Sequence, residues 1–140
     1  MINDPGNWNE DWCNFTPDEF RCSCCGALDI NSEILDLLQK ARGVLGPLHI
    51  TSAYRCPTHN ASVSSTGESG PHTTGKAVDI HVSNSQHRKQ LIDYFSPKVT
   101  GLGIAKTFIH IDLLSYEDGF SMRPNAVSYT HLTLPTKRIV

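Results

Sequence analysis

Two short stretches carry histidine and aspartate in mirrored order. Residues 69–82 read SGPHTTGKAVDIHV and residues 107–114 read TFIHIDLL, so Asp79 stands two before His81 and His110 two before Asp112. Imidazole and carboxylate are the ligands of catalytic zinc, which takes three protein donors and leaves a fourth position open. His72, Asp79 and His110 can supply such a set. The bland alternative makes His72 a solvated loop residue and Asp79 a hydrogen-bonded strand residue, and spacing by itself leaves both open. No serine or cysteine paired with a base in the manner of a covalent catalyst is visible.

These residues need strands beneath them. In KAVDIHV, alternation puts Val78, Ile80 and Val82 on one face and Ala77, Asp79 and His81 on the other. In TFIHIDLL the same arithmetic separates Ile109, Ile111 and Leu113 from Phe108, His110 and Asp112. Each strand thus has an apolar side for a core and a polar side with the same rare pair, which predicts one shared site. Asn31 can cap a helix whose buried face is Ile34, Leu35, Leu37, Leu38 and Ala41, with Gly43, Gly46 and Pro47 as stops. LHITSAY reads as a strand, and SQHRKQLIDYF as a second helix burying Leu91, Ile92 and Phe95.

The whole chain sets the bounds. Its 140 residues suit one domain with a real core, and 12 basic against 14 acidic residues leave a net charge of −2. Nothing in that balance suggests a basic nucleic-acid surface or a polybasic membrane anchor, and no apolar run approaches the ~18 residues of a membrane span. The opening MINDPGNWNEDW is polar and acidic, unlike a secretory leader, so a cytoplasmic monomer is expected as synthesised. Five cysteines include the cluster CSCC at 22–25. A small structural metal site, a disulfide joining the cluster to Cys56, and plain reduced thiols all remain open. The segment SYTHLTLPTKRIV, residues 128–140, follows no helix or strand logic and resembles translated adapter sequence. It is expected to be a non-native, disordered tail behind a domain of residues 1–127.

The pattern Ser69-x-x-His72-x-x-Gly75-x-Ala77-x-Asp79 resembles the first zinc motif of the D-Ala-D-Ala metallopeptidase family. ITSAYRCPTHN upstream and FIHID downstream are similar to the matching segments of its zinc carboxypeptidase branch, and FTPDEFRCSCCG to the opening of small phage and bacterial members. The resemblance runs in order over most of residues 15–113. It implies the fold shared with Hedgehog domains: a small α+β domain, its antiparallel sheet flanked by helices, with a zinc site on one sheet face. It also implies that His72, Asp79 and His110 bind Zn2+, and that the substrate is a peptidoglycan peptide.

Amide hydrolysis at such a site needs a polarised carbonyl, an activated water and a proton carrier. In several members of the family the carrier is a carboxylate three residues before the last histidine ligand; that position here is Thr107. Asp112 is the substitute expected from the strand arithmetic, with orientation of a histidine ring as its other reading. By resemblance Arg55 serves the substrate, and a guanidinium suits a terminal carboxylate or a developing oxyanion. Tyr54 and Ser69 complete the expected substrate contacts, while His81 and His59 are assigned structural roles. The expected function is a D-Ala-D-Ala carboxypeptidase or an endolysin-type endopeptidase, for which a phage lysis enzyme is one setting. Its competitor is a non-catalytic, zinc-stabilised binding domain of the same fold.

Overall fold

The computed structural model describes residues 1–64 and 70–114, together with the backbone of 138–139. Helix α1 spans Ser32–Leu45, and the Asn31 side chain accepts from the amides of Glu33 and Ile34. That capping bond satisfies donors the first turn would otherwise orphan, worth about 1 kcal/mol. The helix passes through Gly43 and stops at Gly46, whose φ of 86° is open to a residue without Cβ. Strand β1 is Ile50–Ser52, shorter than the stretch LHITSAY suggested. Helix α2, Pro57–Val63, begins with proline at its first position and Cys56 as its cap. A 3-10 turn at Pro71–Thr74 leads into β2, Ala77–His81. Helix α3, Ser85–Phe95, is capped by Asn84 and is followed by β3, Gly101–Ile104, and β4, Phe108–Asp112.

The sheet order is β1-β2-β4-β3-β5, and the first four strands are antiparallel. Of the expected tail, only Arg138 and Ile139 are described; they form β5, parallel to β3. The fold is therefore α+β, with α1 and α3 covering the apolar sheet face. Val78, Ile80, Ile109 and Ile111 are fully buried there against Leu35, Leu38, Leu91 and Phe95. The N-terminal aromatics Trp12, Phe15 and Phe20 extend the same core, so one apolar cluster runs through the chain from residue 12 to residue 111. Among the described residues, no helix is long and apolar enough to cross a membrane.

The register fixes the opposite face. Asp79 lies directly across from His110, and Ala77 from Asp112. On the other side of β4, Gly103 faces His110 and Gly101 faces Asp112. Paired residues of an antiparallel ladder share a face, so His110 rises between Asp79 and Gly103, and Asp112 between Ala77 and Gly101, the small residues leaving space for them.

Gly75 ends the turn before β2 with φ 75°, and its carbonyl accepts the Asn31 amide at 2.8 Å. A Cβ at this position would overlap the Asp29 carbonyl oxygen, a backbone atom that cannot swing aside. Gly75→Ala is expected to destabilise the fold by at least about 2 kcal/mol, adding left-handed strain to that clash. Urea unfolding would measure it, and a loss below a few tenths of a kcal/mol would contradict this account of the turn.

Candidate metal centre and active site

His72, Asp79 and His110 converge from three places. The 3-10 turn carries His72, with Pro71 setting its first φ and Gly75 releasing the chain into the strand. Asp79 and His110 are opposed on β2 and β4. One ligand atom from each of the three lies within 4.8 Å of the other two, and all three residues are buried.

The hydrogen bonds define which atoms face inward. The His72 Nδ1–H donates to the Ala53 carbonyl at 2.7 Å, since that oxygen can only accept. Its Nε2 therefore points at Asp79 Oδ2, 3.3 Å away. His110 reaches Asp79 Oδ1 through Nδ1 at 2.9 Å and Asp112 Oδ2 through Nε2 at 2.8 Å. An unprotonated Nε2 of His72 against a carboxylate oxygen sets acceptor against acceptor, which in a buried place calls for a proton or a cation between them. The donor set fits zinc: His72 Nε2, the Asp79 carboxylate and His110 Nδ1 would hold it. Asp112 would keep the remaining His110 ring proton, as partners of metal-bound histidines generally do.

Arg55 joins the group from the segment after β1. Its Nη2 is 3.6 Å from Asp79 Oδ2, while Nε donates to Ser52 Oγ and Nη1 to Asn60 Oδ1, each at 3.2 Å. With 19% of its side chain exposed, it is held yet still open to a ligand. A cavity of about 380 Å³ opens above, with Arg55, His72, Asp79 and His110 in its wall and Val63, Pro71, Ile104 and Phe108 as apolar neighbours. Its size suits a small ligand or a few residues of peptide.

The structure separates other expected site residues from this cavity. Asp112 is fully buried, absent from the cavity wall, and bonded to His110 and to the Leu114 amide. Its contact with the ring suits an orienting partner of His110, and it reaches the cavity only through that ring. Tyr54 also lies off the cavity wall; burial and then the charge of Asp29 raise its phenol pKa. Ser69 falls outside the described residues. Thr107 is exposed in the β3–β4 turn, and Asp79 is the one carboxylate in the cavity wall among the described residues. His81 is exposed at the end of β2 and packs edge-on against His49, and His59 shares a hydrogen bond with Ser23 at 3.1 Å.

Two supports were not anticipated from the sequence. Asn60, 1% exposed, holds Arg55, and the Ala53 carbonyl fixes the His72 ring. For Asn60 the sequence held a faint signal: Cys-Pro at 56–57 is a helix start, and a polar residue one turn later can face back toward it. A backbone carbonyl leaves no signal.

An α+β domain with a buried His–Asp–His set in an open cavity, and an arginine at its edge, has the make-up of a metallohydrolase. The family model for peptidase M15 matches residues 13–112, and the chain belongs to that family, the zinc D-Ala-D-Ala carboxypeptidases and endolysin-type peptidases. Neither the comparison with curated proteins nor that with solved structures finds a match. Membership makes the chain a zinc peptidase of the cell-wall type in general, and peptidases of this family are typically zinc-dependent.

Charge in the metal-free site follows from the same contacts. Burial lowers the His110 pKa, but the hydrogen bonds to Asp112 and Asp79 outweigh it and raise the value from 6.5 to about 9. Burial raises the Asp79 pKa, but His110 and His72 outweigh it and hold the carboxyl well below its usual 3.8. A histidine raised on folding contributes stability that is complete below 6.5 and lost as pH climbs through about 9. A carboxylate depressed on folding contributes above 3.8 and loses that contribution as pH falls. Metal-free protein should therefore melt at its highest temperature between these two ordinary values, and at progressively lower temperature from 6.5 toward 9. Zinc must displace the His110 proton, so its stabilising effect should grow over that same rise. Thermal unfolding in chelator and in zinc buffer measures both; a flat metal-free profile would show that His110 is neutral.

Proposed function

We propose that this chain hydrolyses an amide bond in peptidoglycan stem peptides, using zinc held by His72, Asp79 and His110. The observation that carries the reading is Arg55, fixed by Ser52 and Asn60 at the edge of the cavity that holds the three ligands. A guanidinium so placed suits a substrate carboxylate in two-point contact, as a stem peptide ending in D-alanine offers. Bound zinc supplies Lewis acidity toward the scissile carbonyl and activation of water.

The chain's own residues do the rest. Arg55 binds the carboxylate and sets the depth at which the peptide enters. Asp112 retains the Nε2 proton of His110, so that Nδ1 is the nitrogen presented to the metal, and it acts as a positioning residue. Val63, Pro71, Ile104 and Phe108 exclude water beside the reacting bond. Ser69 is assigned a hydrogen bond to substrate, as the motif implies. A carboxypeptidase uses Arg55 on the free terminus, whereas an endopeptidase turns it to a side-chain carboxylate or to the oxyanion.

A second reading is favoured by one observation: Thr107 and the cavity wall offer no carboxylate besides Asp79 among the described residues. Under that reading the domain binds a cell-wall peptide or a protein without cutting it, and zinc serves stability.

The deciding experiment incubates zinc-loaded protein with purified peptidoglycan and identifies released fragments by mass spectrometry. Free D-alanine marks a carboxypeptidase and a cut inside the stem an endopeptidase. Intact substrate after exposure to folded, zinc-bearing protein sinks the hydrolytic reading in favour of binding. If there is cleavage, Arg55→Ala should lower kcat/KM by about ten- to a hundredfold, chiefly through KM, with zinc content unchanged. Asp112→Asn should weaken zinc affinity by about ten- to a hundredfold and recover much of its rate at saturating zinc. Normal affinity with a collapsed kcat and an altered pH profile would instead make Asp112 the proton carrier.

A further inference from the structure

We propose a second metal site, remote in chemistry from the first: Cys22, Cys24, Cys25 and Cys56 form a tetrathiolate centre for a thiophilic divalent ion, zinc foremost. One sulfur from each residue lies within 4.8 Å of all the others. The Cys22–Cys24 and Cys24–Cys56 sulfurs are 3.5 and 3.4 Å apart. A tetrahedron with ~2.3 Å zinc–sulfur arms has edges of about 3.8 Å, so the four thiols already occupy nearly the volume that such an ion organises. Disulfides, at about 2.05 Å between sulfurs, would draw the four into pairs, whereas here Cys24 Sγ sits about equally far from Cys22 Sγ and Cys56 Sγ.

The backbone is shaped for this. The Gly26 amide bonds back to the Cys22 carbonyl at 2.8 Å, and the Cys22 amide to the Ala27 carbonyl at 2.8 Å. Gly26 takes φ 75° with open space around it, closing a tight knuckle that carries three of the sulfurs. The fourth arrives from the cap of α2. Amide donors already point at sulfur: Cys56 N to Cys22 Sγ at 3.3 Å, and His59 N to Cys56 Sγ at 3.4 Å. Such donors suit thiolates, which carry the charge that a neutral thiol lacks. Cys13, exposed and bonded to Asn14, takes no part.

The consequence is mechanical. The ion would staple the N-terminal segment to Cys56, which directly follows Arg55, while the Arg55 amide donates to the His72 carbonyl at 3.2 Å. A thiolate centre would thus fasten the stretch that carries the substrate-binding arginine, without entering the reaction.

Metal analysis of protein purified with zinc under reducing conditions should give about two zinc ions per chain. The double variant His72→Ala, His110→Ala, which lacks the first site whether or not that site is catalytic, should retain about one. Reconstituted with cobalt(II), this variant should show the intense near-ultraviolet sulfur-to-cobalt absorption of a four-thiolate ion, and a mercurial reagent should release the metal. The triple variant Cys22→Ser, Cys24→Ser, Cys56→Ser should lose this absorption, and if it fails to fold the cobalt spectrum of the histidine variant still decides. The proposal is overturned if the histidine variant binds no metal, if its cobalt spectrum lacks sulfur ligation, or if unreduced protein is metal-free and lighter by the two or four hydrogens of one or two disulfides.

Discussion

Burial of the Asp79 carboxylate is the constraint around which the polar half of the molecule is arranged. An ionised carboxylate out of water costs several kcal/mol unless opposite charges and donors surround it. Here His72, His110 and Arg55 all reach it, and each comes from a different part of the chain. The order of the sheet follows from that need. β2 and β4 must be neighbours for His110 to stand opposite Asp79, and the turn before β2 must fold back for His72 to arrive. A divalent ion held there would supply positive charge between His72 Nε2 and Asp79 Oδ2.

Small residues make this arrangement fit. Ala77 opposite Asp112, and Gly101 and Gly103 across β4, leave the polar face of the sheet deep enough for two ring-sized groups. Glycine weakens a strand through backbone entropy, and here the ladder to β4 and the core position of Leu102 offset that loss. The opposite face is packed with branched aliphatics, so the sheet is rigid under the site. Precise metal geometry depends on such rigidity, because a ligand misplaced by about 1 Å loses much of its affinity or rate.

Residues 53–56 join the two candidate metal centres. Ala53 fixes the His72 ring, Arg55 edges the cavity, and Cys56 belongs to the sulfur cluster. Short irregular segments are ordinarily the mobile part of a domain. This one is tied at every residue: Tyr54 bonds to the Phe20 carbonyl, Arg55 to that of His72, and Cys56 to Cys22. The cavity edge at Arg55 and the N-terminal segment are thereby tied together by short-range hydrogen bonds along residues 54–56.

Much of this was legible in the residues themselves. Period-two alternation exposed both histidine–aspartate strands and their core faces, and capping chemistry at Asn31 and periodicity through residues 85–95 marked the two long helices. Those signals are local, because burial on one face writes itself into the spacing of neighbouring residues. Residue types offered His72, Asp79 and His110 as one possible set and resemblance added Arg55, and the structure brings these four to one cavity. What the sequence did not contain was set by contact. β3 hides behind two glycines that are poor strand formers, and α2 is too short to declare itself by periodicity. The position of Asp112 was set by burial and by the ring nitrogen it meets, and Tyr54, half-buried, lies off the cavity wall. The meeting of Cys56 with the cluster at 22–25 needed the close packing of β1 against the N-terminal segment. Residue types and spacing determined which chemistry was available; only the tertiary structure decided which groups share a site, because distance and desolvation belong to the folded chain and not to any stretch of it.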